Sequence, residues 1–532
     1  FQVFDKPTYI PLEQLTLLFG PNSAGKSAVQ DAIELYAVLM SRDDRNSWQS
    51  NDRAKELLER HWRRSGGDDD LWVDRLKLGV IHTMQCGLQD CLELIGRKTE
   101  EFIPAANGDS WEIECRWNFE RDDDPDESLS FTTCFEYFFE SALVVRASPR
   151  ELIVNLMHPL LSQTELKVDF AEVAKTYPDD VKLQDGHLTI FGYFQGFHPM
   201  GPGTNEHEDR WMQYYKPSTG GTAPHASDDS ASLFVAALTE LNFLLGFILR
   251  TANGNSRFKP TVVHASRNVP TRSDLIFQLG HMDDQIEPLL TQANKTYLRL
   301  AASMARIEIP FELWSIGDTD DLGSFGERIN QALSSHLFIE QGYRIDHDLR
   351  VLMSKNNSLA AMAGEQLDPN EFGYVVELFL RDGQGRKHLF EDVGSGIGYV
   401  LPVLCAVFGG GGWLAPTTCF IQQPELHLHP ALQAAMGDVF IEASAANKQI
   451  LIETHSEHLL LRILKRIRQT HLQAAIAPEL NINADDVCVL YFDPSPDGTT
   501  TVKRLRITED GEFMDRWPRG FFAERDQELL DE

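Results

Sequence analysis

The stretch Gly20-Pro21-Asn22-Ser23-Ala24-Gly25-Lys26-Ser27 matches the pattern G-x-x-x-x-G-K-[ST] at every fixed position. Its flanks have the character this pattern needs. Leu15 to Phe19 ahead of it is a short apolar run of strand length, and Ala28 to Met40 behind it carries Val29, Ile33, Leu35, Ala37 and Val38 at helical spacing. Strand, glycine loop and helix in that order make a phosphate cradle. Glycines let backbone N–H groups close around phosphate oxygens without a Cβ clash, and the helix N-terminus adds positive potential. In such a loop Asn22, Ser23, Ala24, Gly25 and Ala28 line the phosphates, Lys26 reaches the β- and γ-phosphates, and the Ser27 hydroxyl ligates Mg2+. The stretch implies a site for a nucleoside triphosphate.

Working outward, the 532 residues are enough for several domains. An apolar share of 42% with 24% charged residues is ordinary for a globular chain. No apolar stretch approaches the ~20 residues that cross a bilayer. The most apolar helix candidate, Leu233 to Leu249, is interrupted by Thr239, Glu240 and Asn242. Nothing near Phe1 resembles a signal peptide. The seven cysteines are scattered without zinc-site spacing, so free thiols in a reducing cytoplasm are expected. A net charge of −32 repels phosphate backbones, and any nucleic-acid contact then needs a local basic patch or a basic partner.

Patterning divides the chain into five segments. Residues 1–70 open a nucleotide-binding lobe. Residues 71–197 alternate apolar and polar positions, as in Trp111-Glu112-Ile113-Glu114-Cys115 and His187-Leu188-Thr189-Ile190, which predicts a β-rich subdomain. Residues 198–230 are rich in Gly, Pro, Ser and Thr and read as a mobile loop. Residues 231–340 read as a helical insertion, with a buried strand at Pro260 to Arg267 inside it. Residues 341–532 return to β signal and then alternate helices with short apolar strands, the mark of an α/β core.

Four later segments extend the pattern. Thr418-Cys419-Phe420-Ile421 is an apolar strand that runs into Gln422-Gln423-Pro424-Glu425-Leu426-His427-Leu428-His429-Pro430. Ile450-Leu451-Ile452-Glu453 is another, and it ends in Thr454-His455-Ser456. Asp392-Val393-Gly394-Ser395-Gly396-Ile397-Gly398 is a glycine turn entering an apolar helix, and Trp517-Pro518-Arg519-Gly520-Phe521-Phe522 lies near the end. With these in place the chain resembles the ABC-type AAA ATPases of the RecF, SMC-head and OLD-nuclease group. The W-P-x-G-F-F motif and Arg267-Asn268-Val269-Pro270 look most like the stand-alone ATPase subunits of Septu- and retron-type anti-phage defence systems.

The resemblance implies an α/β fold, an ABC-type P-loop ATPase head with an antiparallel β-subdomain and a large helical insertion. It implies ATP and Mg2+ as ligands. Gly394, Ser395 and Gly396 become a signature turn that touches the γ-phosphate of ATP held by a second subunit. His455 becomes a switch histidine on that phosphate, and Leu426 to His429 runs along the interface. The partners implied are a second copy, joined as a homodimer through sandwiched ATP and open to higher assembly, and a separate effector. That effector is an HNH-type nuclease or a reverse transcriptase with its nucleic acid, with no membrane involved.

Gln422 and Gln423 depart from the group's pattern. The first position is usually an acid that holds Mg2+ through water, and the second often polarises the attacking water. An amide brings no negative charge to a metal and cannot serve as a base. Either the protein is a slow ATPase or ATP-gated switch, or Gln422 was introduced to trap the ATP state, and restoring Gln422→Glu should raise turnover. Glu425 stands as a partial substitute. The residues after His455 are too few for a fused nuclease domain, and Asp493 to Gly498 reads as a hairpin turn. Arg462, Lys465, Arg466 and Arg468 form a basic face for phosphates, for an acidic partner surface or for solvent. Two further readings stay open: a RecF-like repair or chromosome-maintenance ATPase that clamps nucleic acid directly, and a nucleotide-locked scaffold.

Overall fold

The computed structural model describes residues 4, 8–39, 56–58, 60, 75–85, 110–121, 131–139, 141–148, 151–158, 168–194, 215–217, 260–279, 292–305, 324–353, 372–409, 417–445, 448–496 and 498–518. Strand β1 (Leu15–Phe19) is followed by helix α1 (Lys26–Leu39). The chain divides into two compact units, one of Phe1–Gln2 and Ala28–Phe258, the other of Val3–Ser27 and Lys259–Glu532.

In the first unit an antiparallel sheet is built from β2 (Arg75–Gln85), β3 (Ser110–Arg121), β4 (Phe131–Phe139), β5 (Ala142–Ala147), β6 (Glu151–Asn155), β7 (Val181–Gln184), β8 (His187–Phe194) and β9 (Tyr215–Pro217). A short helix, α2 (Phe170–Thr176), enters on an Asp169 cap that accepts from the Ala171 and Glu172 N–H groups. Strand β6 alternates Leu152 and Val154 inward, as the period of two predicts. The expected β-rich segment 71–197 therefore holds strands β2 to β8, with β9 added from beyond it.

The second unit carries the site. Its remaining elements are β10 (Thr261–Val263), β11 (Ile276–Leu279), α3 (Gln292–Ala305), α4 (Ser324–Ala332), β12 (Arg344–Met353), β13 (Phe372–Arg381), β14 (Lys387–His388), α5 (Ser395–Phe408), β15 (Thr417–Gln422), α6 (Pro430–Ala445), β16 (Lys448–Glu453), α7 (Glu457–His471), β17 (Val487–Pro494) and β18 (Thr500–Leu505). Six of the strands form one sheet in the order β10-β15-β16-β1-β17-β18, parallel except for β18. Strands buried on both faces need continuous apolar sequence. Accordingly Leu15, Leu17, Leu18 and Phe19 of β1 and Ile450, Leu451 and Ile452 of β16 are all fully buried. The edge strand β18 instead carries the charged Lys503 and Arg504.

Helices α6 and α7 connect β15 to β16 and β16 to β17. Helix α6 starts on Pro430, which suits a first helical position, and is buried from Ala435 to Ser444. Of its two buried acids, Asp438 is held by Arg462 and Arg466 of α7 and Glu442 meets His336. A smaller antiparallel sheet, β11-β13-β12 with β14 on β13, stands beside α3 and α4 in the same hydrophobic core.

Within 231–340, β10 forms the edge of the site's own sheet, and Leu298, Ala301 and Ile329 of α3 and α4 lie in its core. Residues 1–70 are divided, since β1 pairs with β16 and β17 whereas Ala28 onward groups with the first unit. The mobile loop expected at 198–230 lies outside the described residues apart from β9, as do Ala231 to Thr251 and Arg519 to Phe522 of the closing motif. The hairpin turn expected at Asp493 to Gly498 begins at Ser495, because Asp493 and Pro494 still pair within β17: Ser495 N–H donates to Thr499 O at 2.7 Å and Gly498 has φ +85°. Among the described residues no helix is long and apolar enough to cross a membrane.

Candidate functional site

The loop after β1 has the backbone a phosphate cradle needs. Gly20 and Gly25 take φ of +141° and +94°, and Ser23 takes +65°. A Cβ on Gly20 would stand 2.6 Å from Phe492 O, so glycine is required there twice over. Trp517 packs edge-on against Phe19 at 5.5 Å, which places the first residue of the closing motif under the base of the loop.

Lys26 is 3% exposed, and its ammonium faces inward. It donates to Gly20 O at 2.9 Å and Pro21 O at 2.8 Å, and Glu453 Oε1 lies 3.7 Å away. Burial pulls the Lys26 pKa down and the Glu453 charge opposes that. Burial likewise raises the Glu453 carboxyl, against Lys26 and the Gln422 side chain beside it. Oε2 of Glu453 is buried and meets no donor at hydrogen-bond geometry. The sheet explains the meeting. In the register, Glu453 ends β16 between Leu18 of β1 and Gln422 of β15, three neighbouring strand ends on one rim.

Gln422 therefore does not sit beside the loop strand; β16 intervenes. Its Oε1 accepts from Ala265 N–H at 3.1 Å, at the end of β10. Gln423 turns out of the strand with φ +43°, its N–H donating to Glu453 O at 2.7 Å. Glu425 is buried and engaged elsewhere: Oε2 accepts from Thr454 Oγ1 at 2.9 Å and Oε1 from His455 N–H at 2.8 Å. Burial still leaves its carboxyl above the usual range. Glu425 braces the turn before α7 and is not the substitute acid that its sequence position offered. Ser456 then caps α7, accepting from Leu459 N–H at 3.1 Å. The His455 ring is half-buried, and burial followed by the nearby Lys26 charge lowers its pKa, so it is neutral near pH 7.

Arg267 joins these parts. Its guanidinium donates to Tyr399 O at 2.9 Å, to Gln422 O and Gln423 O at 3.0 Å each, and to Pro424 O at 3.2 Å. The sequence offered Arg267 only as a family mark, and nothing local to it signalled this clamp. Tyr399 also stacks on His427, with ring centroids 4.3 Å apart. Gly396 lies under Leu428, and a Cβ on Gly398 would be 2.4 Å from Val269 Cγ1. Gly394 to Gly398 is thus bound to the ends of β10 and β15. Helix α5 packs on those two strands. From β10 to β1 is three strand spacings, about 14 Å. Within one chain the structure does not bring Gly394, Ser395 and Gly396 to the loop of Lys26 and Ser27.

The basic face on α7 is mostly occupied. Arg466 reaches both oxygens of Asp438 at 2.7 and 2.8 Å, Arg462 reaches the same carboxylate, and Arg468 donates to Asp510 O at 2.8 Å. A carboxylate buried in α6 needed these cations, which the linear spacing could not reveal. Among the described residues no group of three or more His, Cys, Asp and Glu has the form of a metal cluster.

Comparison with known proteins adds two family matches. Residues 415–460 match the family described as AAA ATPase domain, and residues 482–531 match one described as protein of unknown function (DUF3696). No curated protein matches. Among solved structures, the SMC head domain from Thermotoga maritima is similar at 10% identity and TM-score 0.33, over 95% of this chain and 96% of that one. An SmcHead bound to the C-winged helix domain of ScpA is similar at 11% identity and TM-score 0.38, over 95% of each chain. The Smc head domain with an extended coiled coil, from Pyrococcus furiosus, gives 12% and 0.31 over 100% of this chain and 96% of that one. The α/β P-loop head architecture rests on the strand order and loop geometry above.

Proposed function

We propose that this chain is an ABC-type ATPase head that binds ATP and Mg2+ at the Gly20 to Ser27 loop and dimerises head to tail on ATP. The observation that carries this is Lys26, a buried cation held over the loop by its own carbonyl oxygens and by Glu453. Phosphate oxygens are the natural replacement for those acceptors. Asn22 to Ala28 would hold the phosphates, and the Ser27 hydroxyl would stand against Mg2+. The buried, undonated Glu453 oxygen and the tight Gly20 cradle suit that pair of ligands. When bound, Mg2+ neutralises charge developing on the β- and γ-phosphates. Neutral His455 would donate a hydrogen bond to the γ-phosphate. The separation of Gly394, Ser395 and Gly396 from the loop supports their acting on the ATP of a second copy.

The dimer would in turn regulate a separate effector, a nuclease, in bacterial anti-phage defence; the Septu- and retron-like motifs support this role. The engagement of Arg462 and Arg466 by Asp438 leaves less of the basic face for phosphates, which supports this reading over a RecF-like clamp on nucleic acid.

Titration with a fluorescent ATP analogue tests the core of the proposal. The wild-type chain should bind at micromolar levels and Lys26→Ala about 100-fold more weakly, equal to about 2.7 kcal/mol. Equal binding by both would remove the loop from the site. Purification in ATP and Mg2+ from the native operon tests the rest. A stoichiometric nuclease, or a reverse transcriptase with its nucleic acid, is the expected companion. A bare dimer that captures DNA would return the clamp.

A further inference from the structure

We propose that Glu453, at the end of β16, supplies the carboxylate of the nucleotide site that Gln422, ending β15, and Gln423 after it cannot supply. The proposal rests on the ATP-site reading and assigns one residue within it. Three observations carry it.

The first is position. Of the three strand ends on the rim, β1 leads into the loop, β15 ends in an amide, and β16 between them ends in Glu453. The acid is therefore one strand nearer the phosphates than Gln422, and its Oε1 already lies 3.7 Å from Lys26. The second is hydrogen bonding. Glu453 Oε2 is buried with no donor at bonding geometry, a costly arrangement for a carboxylate in a protein interior unless a ligand completes it. The third is elimination among neighbours. Glu425 has both oxygens engaged by Thr454 and His455, and Gln422 has its Oε1 on Ala265 N–H. Only Glu453 among these holds an oxygen in reserve.

The same contacts describe a change on binding. With Lys26 drawn to phosphate, the ion pair with Glu453 opens and the carboxylate is released on the side facing the bound nucleotide. From there it can hold the divalent ion, directly or through water. Gln422 beside it donates where an acid would repel, which gives the amide at that position a physical reason.

The test measures metal binding apart from turnover. ATP affinity is measured for the wild type and Glu453→Gln, each in Mg2+ and in EDTA. Mn2+ affinity of the ATP-bound chains is read by electron paramagnetic resonance. Glu453→Gln should bind ATP in EDTA within about threefold of wild type yet lose about tenfold or more in Mn2+ affinity and in the Mg2+ enhancement of ATP binding. Should Glu453→Gln not fold, Glu453→Asp, which keeps the charge on a shorter stem, must show a several-fold weaker Mn2+ site. Unchanged metal dependence in Glu453→Gln or Glu453→Asp overturns the assignment and leaves the ATP site standing. Wild-type chain that binds no ATP in either condition overturns both.

Discussion

Arg267 donates to four backbone carbonyl oxygens at distances of 2.9 to 3.2 Å, three of them in the turn Gln422-Gln423-Pro424 and one in α5. A planar guanidinium can serve that many acceptors at once, whereas an ammonium on a flexible stem cannot. Arg267→Lys should leave at least two buried carbonyls without donors and cost on the order of 3 kcal/mol. Thermal or denaturant unfolding checks the cost. The more telling readout is ATP affinity, which should fall as well, because the displaced turn carries the Gln423 N–H bond to Glu453 O. A variant as stable as wild type would mean that the clamp is dispensable.

At the scale of elements, α6 and α7 are joined by one acid between two cations. Burial acts to raise the Asp438 carboxyl, but hydrogen bonds from Arg466 and the charge of Arg462 outweigh it and leave the pKa below the usual value. A carboxylate lowered in the folded state contributes stability above its unfolded pKa of about 3.9 and loses it as pH falls through the folded value. Asp438→Asn should therefore destabilise the chain by about 3 kcal/mol at pH 7. That difference should begin to shrink below about pH 4 and close at more acid pH. Melts of the two chains across pH 3 to 7 check both parts. A gap constant with pH would deny the ion pair its role.

At the scale of the whole molecule, the separation of Gly394, Ser395 and Gly396 from the loop leads to a prediction about assembly. Ser395→Arg, at the first residue of α5, should leave ATP affinity per chain within about threefold while abolishing ATP-driven dimerisation. Light scattering with and without ATP reads this directly, and a variant that still doubles its mass on ATP would place the interface elsewhere.

Much of this protein was legible without coordinates, for a reason of range. The phosphate loop is eight consecutive residues whose glycines act through their own backbone and whose lysine folds its ammonium back onto the same loop, so a linear pattern carries their geometry. The apolar runs of β1, β15 and β16 likewise declared themselves as strands of an α/β core. Glu425 and Glu453, in contrast, look alike in the sequence, each an acid closing a short motif. Which of them faces Lys26 depends on strand register between residues more than four hundred positions apart, and the pairing of Asp438 with Arg462 and Arg466, 24 and 28 positions on, depends on how α6 packs against α7. The sequence by itself determined that a phosphate cradle exists and where it begins. Only the tertiary structure decided which acid stands over it, because side chains that meet across a sheet rim are selected by strand order, and strand order is set by packing that no local pattern records.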